Sequence, residues 1–238
     1  MTSKASLSEV IKVSHTVFLL TTRNFTGGTS EEQLQGKNVA DVAAEAGVKH
    51  IIYSSLLHVT ETTNGRLRHV VHFNDEAEVE RCIRSKGIPS TFILPGYFRD
   101  NFTALHMIQK GGDRCQISFI NAESDIGKYA VAAIRNKAKV FGRQILAAAD
   151  YYTPSRIISE FQEVTGKPAR FVSVDAETYK SFIPGLMADE MLESHLFIED
   201  PGYYAGKDLT GSLELLTEVG LKPTSWKGLL EANKTGFQ

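Results

Sequence analysis

Four short, unbroken apolar runs constrain this chain most: VFLLT over residues 17–21, KHIIYSS over 49–55, STFIL over 90–94 and QILAA over 144–148. A strand with one wet face alternates apolar and polar residues, whereas a run without alternation belongs to a strand covered on both faces. The segments between the runs have the helical period instead. Val39, Val42, Ala43 and Ala46 share one face before Gly47, and residues 75–86 turn Val79 and Ile83 inward before Gly87. Ser30, Glu31, Glu32 and Gln33 have the spacing of a capping box at the start of the first of these helices. Strands separated by helices of this length pair in parallel, because a parallel neighbour needs a crossover of about a dozen residues. The spacing therefore predicts an α/β fold with a parallel sheet.

Beyond the third run, a helix is expected to about residue 109, a strand over 117–120, a helix from 124 and the fourth parallel strand at 144–148. From Thr153 the pattern reads helix, a strand over 169–174, then mostly helices, among them the apolar stretch 182–197. Trp226 is expected to anchor one of them in the core. Residues 1–150 form the expected core, and 151–238 a mostly helical lid packed on it rather than an independent domain.

A formal net charge of −2 supplies no field to gather phosphates, which removes nucleic acid as an expected partner. Cys82 and Cys115 fall in no metal-ligand or redox spacing, and the histidines form no ligand motif, so no metal is expected. No apolar stretch reaches about 18 residues, and the first ten residues lack a signal-peptide core, which places the protein in the cytoplasm without a membrane partner.

The order of segments adds a family. QGKNVADVAAEAGVKHIIYSS over 35–55, HFNDEAEVE over 72–80, GIPSTFILPGYFRDNF over 87–102 and DIG over 125–127 resemble, in this sequence, the NmrA-like proteins of the atypical short-chain dehydrogenase/reductases. The resemblance runs from about residue 16 to the end and implies a Rossmann-like, doubly wound sheet with a C-terminal substrate lid. Two departures stand out. The family's first βαβαβ unit, with its glycine-rich pyrophosphate turn, would fill roughly 60–80 residues before Val17, whereas the chain has 16 there, none of them glycine. The fold is therefore expected to be a partial Rossmann-like sheet with residues 17–21 at its edge, where a second copy of the chain could pair to form a homodimer. The family segment His-Phe-x-x-Lys, whose lysine holds the cofactor ribose, ends here in Glu76. A carboxylate offers neither that charge nor those donors, so no cofactor is expected, and NAD(P)H only if the family site is retained.

What remains are acid–base candidates. His72 and Glu76 lie one helical turn apart, at the positions of the dehydrogenase Tyr and Lys, and form an expected proton-transfer pair. Ser54 and Ser55 close a strand at the sheet's carboxyl edge, where ligands sit in such folds, and are expected catalytic hydroxyls. Tyr53 beside them, and Tyr97, Phe98 and Asn101 after the next strand, are the expected substrate contacts. Thr22, Arg23 and Asn24 stand where relatives meet the adenosine side of the cofactor and are read as vestigial. The resulting expectation is a non-redox enzyme performing isomerisation, dehydration or cyclisation of a small carbonyl-containing, cyclic or aromatic metabolite. A regulatory, protein-binding module is the alternative, and an NAD(P)H-dependent reductase comes third.

Overall fold

The computed structural model describes residues 1–23, 31–98, 117–171 and 174–233. Among these the chain divides into two interleaved units, Met1–Leu94 with Tyr129–Leu146, and Pro95–Lys128 with Ala147–Gln238.

The first unit opens with helix α1 (Lys4–Ile11), whose Ser3 cap accepts the Ser6 N–H. Strand β1 (Thr16–Leu19) follows, then α2 (Glu31–Glu45), β2 (His50–Ser54), the single turn α3 (Val59–Thr62), α4 (Val71–Ser85) and β3 (Ser90–Pro95). β1 runs parallel to β2 with Thr16 opposite His50, and β2 parallel to β3 with Ile51 opposite Ser90. Every residue of β2 and β3 is buried, as the unbroken apolar runs require. Gly47 and Gly87, both at φ +69°, end α2 and α4 in the left-handed conformation that glycine adopts without strain. α4 begins four residues before the expected Asp75, because the turn from Val71 adds His72 and Phe73 to it.

α1 lies along α2, where the Lys4 ammonium meets Asp41 at 2.6 Å and the Asn38 amide donates to the Thr2 carbonyl at 3.2 Å. α2 and α4 pack so closely that a Cβ on Gly36 would come within 2.3 Å of Val79 Cγ1. That contact explains the glycine in mid-helix, where it otherwise costs about 1 kcal/mol relative to alanine.

Strand β4 (Tyr97–Phe98) and strand β5 (Ile117–Ile120) come next, then α5 (Ala122–Arg135), the short α6 (Lys137–Val140), β6 (Gln144–Ala147) and β7 (Tyr151–Tyr152). The main sheet has the order β1-β2-β3-β6. β6 runs parallel to β3, since the Phe92 N–H donates to Arg143 O and the Gly96 N–H, four residues on, to Ala147 O. The fold is thus α/β with a parallel, Rossmann-like sheet. β1 stands at the end of the strand order, with Phe18 47% exposed.

The second unit has a small sheet of its own that the apolar runs did not announce. β4 pairs with β5 in parallel, and β5 with β7 antiparallel. Helices α7 (Pro154–Thr165), α8 (Ala176–Ser181), α9 (Gly185–Glu199), α10 (Thr210–Thr217) and α11 (Trp226–Ala232) complete the unit. Thr153 caps α7 and Pro154 takes its first position, where a missing N–H is harmless. Trp226 is the anchor expected of it: its indole N–H donates to Ile157 O at 3.1 Å, and its backbone N–H to the Tyr152 hydroxyl at 3.0 Å. The strand expected over 169–174 is not formed at 169–171 or at 174, which are irregular. The helix expected to residue 109 and Ser30 of the capping box lie outside the described residues. No helix among the described residues is long and apolar enough to cross a membrane.

Candidate functional site

The pleat sends Tyr53 and Ser55 to one face of β2 and Ser54 to the other. α2 and α4 cover the first face, and their side chains decide what each candidate meets. Tyr53 is fully buried, and its hydroxyl lies 3.2 Å from Thr21 Oγ1. Thr21 in turn donates to Glu32 Oε1 at 2.8 Å. Loss of hydration, followed by the Glu76 charge, pushes the Tyr53 hydroxyl far above the usual phenol range. Tyr53 is therefore a buried support for Glu32 rather than a side chain open to a substrate.

Ser55, also fully buried, donates to Glu80 Oε2 at 2.7 Å. Glu80 Oε1 accepts from Arg84 Nε at 2.9 Å and Nη2 at 2.7 Å, and Gln144 Nε2 reaches both carboxylate oxygens. This network clamps the end of β2, α4 and the start of β6 together, so the Ser55 hydroxyl is committed to structure. Ser54 is buried on the opposite face.

Glu76 sits in different company from that expected of it. Its carboxyl is crowded by protein while the residue keeps some contact with solvent, and none of the described residues hydrogen-bonds to it. Lost hydration is the largest influence, and the carboxyls of Glu32 and Asp75 add to it. Together they hold Glu76 well above the ordinary carboxylate range. Glu32, 4% exposed, has one carboxyl oxygen on Thr21, while the other, Oε2, is buried without a partner. Burial also raises its pKa, against the opposing influence of Thr21, His72 and Arg23. Asp75 is buried and accepts from Gln33 Nε2 at 2.8 Å. His72 packs edge-on against Phe73 at 4.8 Å, and it lies close enough to Glu32 to work against the rise of that carboxyl's pKa.

The first unit thus gathers three carboxyls, Glu32, Asp75 and Glu76, around the start of α4, with His72 beside them. Sequence spacing brought out His72 and Glu76 but not Glu32, which lies 44 positions away on α2. Its one signal was its place seven residues before Val39, on the face of α2 whose other buried residues are uncharged.

Thr22 and Arg23 lie beside this corner. The Gln35 amide clasps the Thr22 backbone, accepting from its N–H and donating to its carbonyl at 3.2 Å each. Arg23 directs its charge at Glu32. Asn24 and Asn101 lie outside the described residues.

Tyr97 and Phe98 belong to the second unit. Phe98 is 40% exposed, whereas Tyr97 is buried with its hydroxyl 3.2 Å from His195 Nε2. His195 Nδ1 lies 2.7 Å from the Met191 carbonyl, an acceptor only, so Nδ1 carries the proton and Nε2 accepts from Tyr97. Burial lowers the His195 pKa to about 4 and keeps the ring neutral. The Tyr179 ring completes this group at 5.5 Å from the imidazole. Also in this unit, fully buried Asp125 accepts from Lys128 Nζ at 2.7 Å, from the Thr224 N–H at 2.9 Å and from the Thr224 hydroxyl at 3.0 Å.

One further group of donors occurs among the described residues, away from the three carboxyls. Ligand atoms of His58, Glu61 and Glu78 lie within 4.8 Å of one another. Arg81 already bonds to both of those carboxylates, at 2.7 Å in the case of Glu78, and His58 caps α3 through Nδ1.

The profile of the NmrA-like family matches residues 1–230. Among curated relatives, the NmrA-like family domain-containing oxidoreductase malD of Malbranchea aurantiaca is 30% identical over 168 residues, which is 61% of this chain and 49% of malD. The nitrogen metabolite repression protein nmr of Neurospora crassa is 27% identical over 217 residues, 83% of this chain and 43% of that protein. The chain thus spans about half the length of these relatives. Among solved structures, the negative transcriptional regulator NmrA in complex with NAD superposes with a TM-score of 0.77 at 17% identity, over 96% of this chain and 76% of that one. The Citrobacter sp. triphenylmethane reductase complexed with NADP(H) gives 0.71 at 17%, over 97% and 80%. Likeness at such identity establishes the fold alone, whereas the profile spans nearly the whole chain and shows that the protein belongs to the NmrA-like family.

Proposed function

We propose that this protein is a proton-transfer enzyme acting without hydride on a small carbonyl-containing molecule, with Glu76 as its principal acid–base group and His72 as its partner. The observation that carries this reading is the Glu76 carboxyl, which belongs to a residue in partial contact with solvent and is held well above the ordinary carboxylate range by lost hydration and by Glu32 and Asp75. A carboxyl shifted in this way keeps its proton near neutrality and can deliver it, and its conjugate base is stronger than an ordinary carboxylate.

In an enolisation, Glu76 would protonate the carbonyl oxygen while His72 removes a proton from the adjacent carbon. The C–H electron pair then forms the C=C bond, leaving an enol, a carboxylate and an imidazolium. Return of the proton at a different carbon completes an isomerisation with no net gain or loss of atoms or electrons. Thr21, with the Tyr53 hydroxyl beside it, holds Glu32 in place.

The residues of this corner argue against NAD(P), the cofactor that two of the similar structures hold. At the position that family resemblance gives to the ribose-binding lysine stands Glu76, backed by Asp75 and by the unpartnered Glu32 Oε2. A carboxyl there supplies neither the positive charge nor the three donors that a lysine would offer the ribose, and no step of the reaction is routed through the cofactor.

Curated relatives are named oxidoreductases, which keeps the reductase reading in play as an outcome of the test. Site-resolved carbon NMR of the glutamate carboxyls across pH tests the acid–base assignment. The Glu76 resonance should titrate well above the range of exposed glutamates, and titration within that range would overturn the role given to it.

A further inference from the structure

We infer that the second unit holds a binding site for an uncharged molecule bearing a secondary amide, such as a lactam, received by the Asn121 carboxamide at the mouth of α5. The inference rests on the second unit alone and is independent of the acid–base reading of Glu76. Asn121 is 9% exposed, and its Oδ1 is shut away from solvent without a hydrogen-bond partner. A buried polar oxygen ordinarily has one, because it gives up its hydration and must be repaid with a donor.

Its position makes the missing bond more telling. Asn121 follows directly on β5, and its carbonyl accepts the Asp125 N–H at 2.8 Å, the first bond of α5. It therefore heads the helix, where asparagine is favoured because its side chain accepts from an N–H of the first turn. Here Oδ1 makes no such bond, and the Ser124 N–H, which it would ordinarily meet, has no acceptor among the described residues. Ile120 stands opposite Phe98 in the parallel pair β4–β5, so Asn121 lies at the carboxyl end of that pair, the end at which parallel sheets receive ligands. Three other buried side-chain atoms among the described residues lack partners, and none has this setting. Glu32 and Glu160 each bond through the other carboxyl oxygen, to Thr21 and Arg156, and Asn136 heads only the four-residue α6.

The complement of such a site is a group that gives and takes hydrogen bonds side by side. Oδ1 needs a donor, while the Asn121 amino group and the Ser124 N–H offer protons to an acceptor. A secondary amide held in a ring carries N–H and C=O on one edge and pairs with a carboxamide through two parallel hydrogen bonds. Turning the Asn121 amide over exchanges its two ends and leaves the match intact. An anion fits less well, although a helix amino terminus by itself favours one. It brings no donor for Oδ1, and Asp125, fully buried and bonded to Lys128 at 2.7 Å, already supplies negative charge in the same turn. A cation is disfavoured by the helix dipole and offers the Ser124 N–H no acceptor.

The test is a titration of the whole chain with 2-piperidone, followed through the Asn121 side-chain NH2 signals in nitrogen–proton NMR. The lactam should move these signals saturably at millimolar concentration. Cyclohexanone, the same ring with CH2 in place of N–H, should bind weaker by about ten-fold or more, and valerate, an acceptor-only anion, should leave the signals in place. Asn121→Ala should abolish saturation transfer to the lactam without lowering the melting temperature by more than about 4 °C. Asn121→Asp, which keeps an acceptor but loses the donor, should weaken the lactam by about ten-fold or more.

Equal binding of cyclohexanone, binding of valerate in place of the lactam, or unchanged lactam affinity in either variant would overturn the inference. So would the lack of any saturable shift at tens of millimolar lactam, which would leave Oδ1 to solvent water. A larger fall in the Asn121→Ala melting temperature would return the carboxamide to capping α5 and overturn it too. None of these outcomes bears on the titration of Glu76, which tests the acid–base reading separately.

Discussion

Glu76 occupies a position where its charge is disfavoured, and the cost should be visible in stability. A carboxyl whose folded pKa exceeds its unfolded value binds more protons folded than unfolded, so its ionisation destabilises the fold as pH rises from about 4.5 through the folded pKa. Glu76→Gln is therefore expected to raise the melting temperature near pH 8, by at least about 2 °C. The gain should vanish below about pH 4, where the carboxyl is protonated in both states. A melting temperature lowered at pH 8 would mean that the Glu76 charge is compensated after all. Ser55→Ala offers the contrast: with its hydroxyl committed to Glu80, its loss should cost about 1 kcal/mol in chemical denaturation. At this scale the sequence was read partly. Helical spacing brought out His72 and Glu76, and strand ends brought out Tyr53, Ser54 and Ser55, but a spacing rule sees only neighbours along one element. Glu32 reaches the corner through the packing of α2 on α4, and Ser55 turns away from it through its bond to Glu80. Both facts belong to tertiary structure.

That packing of helices has its own weak point. Gly36 lets α2 approach α4, and the added methyl of Gly36→Ala would overlap Val79, itself fully buried. Although alanine is the better helix former, overpacking should dominate and destabilise the protein by about 1–3 kcal/mol in urea unfolding. In the second unit, Asp125 ties the start of α5 to the segment before α11. Burial works to raise its pKa, but Lys128 and Thr224 outweigh it, and the result is a lowered value. The corresponding stability is present above the unfolded value of about 3.8 and is lost as pH falls through the folded pKa. Asp125→Asn should thus lower the melting temperature at pH 7, and the gap to the parent protein should narrow in acid. A gap independent of pH would assign the loss to shape rather than charge. Elements whose pattern is local were legible: the unbroken apolar runs marked β1, β2, β3 and β6, and Gly47 and Gly87 marked the helix ends. The two-residue strands β4 and β7 were not, because a strand that short has no period to read and exists only through its pairing with β5.

For the whole molecule, family membership and function separate. The order of elements and the family profile agree on an NmrA-like, Rossmann-like chain, and that much was legible because segment order survives when single motifs do not. What the chain does turns on one corner, where a carboxyl replaces an expected lysine and two further carboxyls gather around it. The most direct measurement is calorimetric titration of the purified chain with NADPH and NADH. Proton-transfer chemistry at an acidic corner predicts no saturable binding of either nucleotide up to millimolar concentration, and saturable micromolar binding would contradict it and return the protein to hydride transfer.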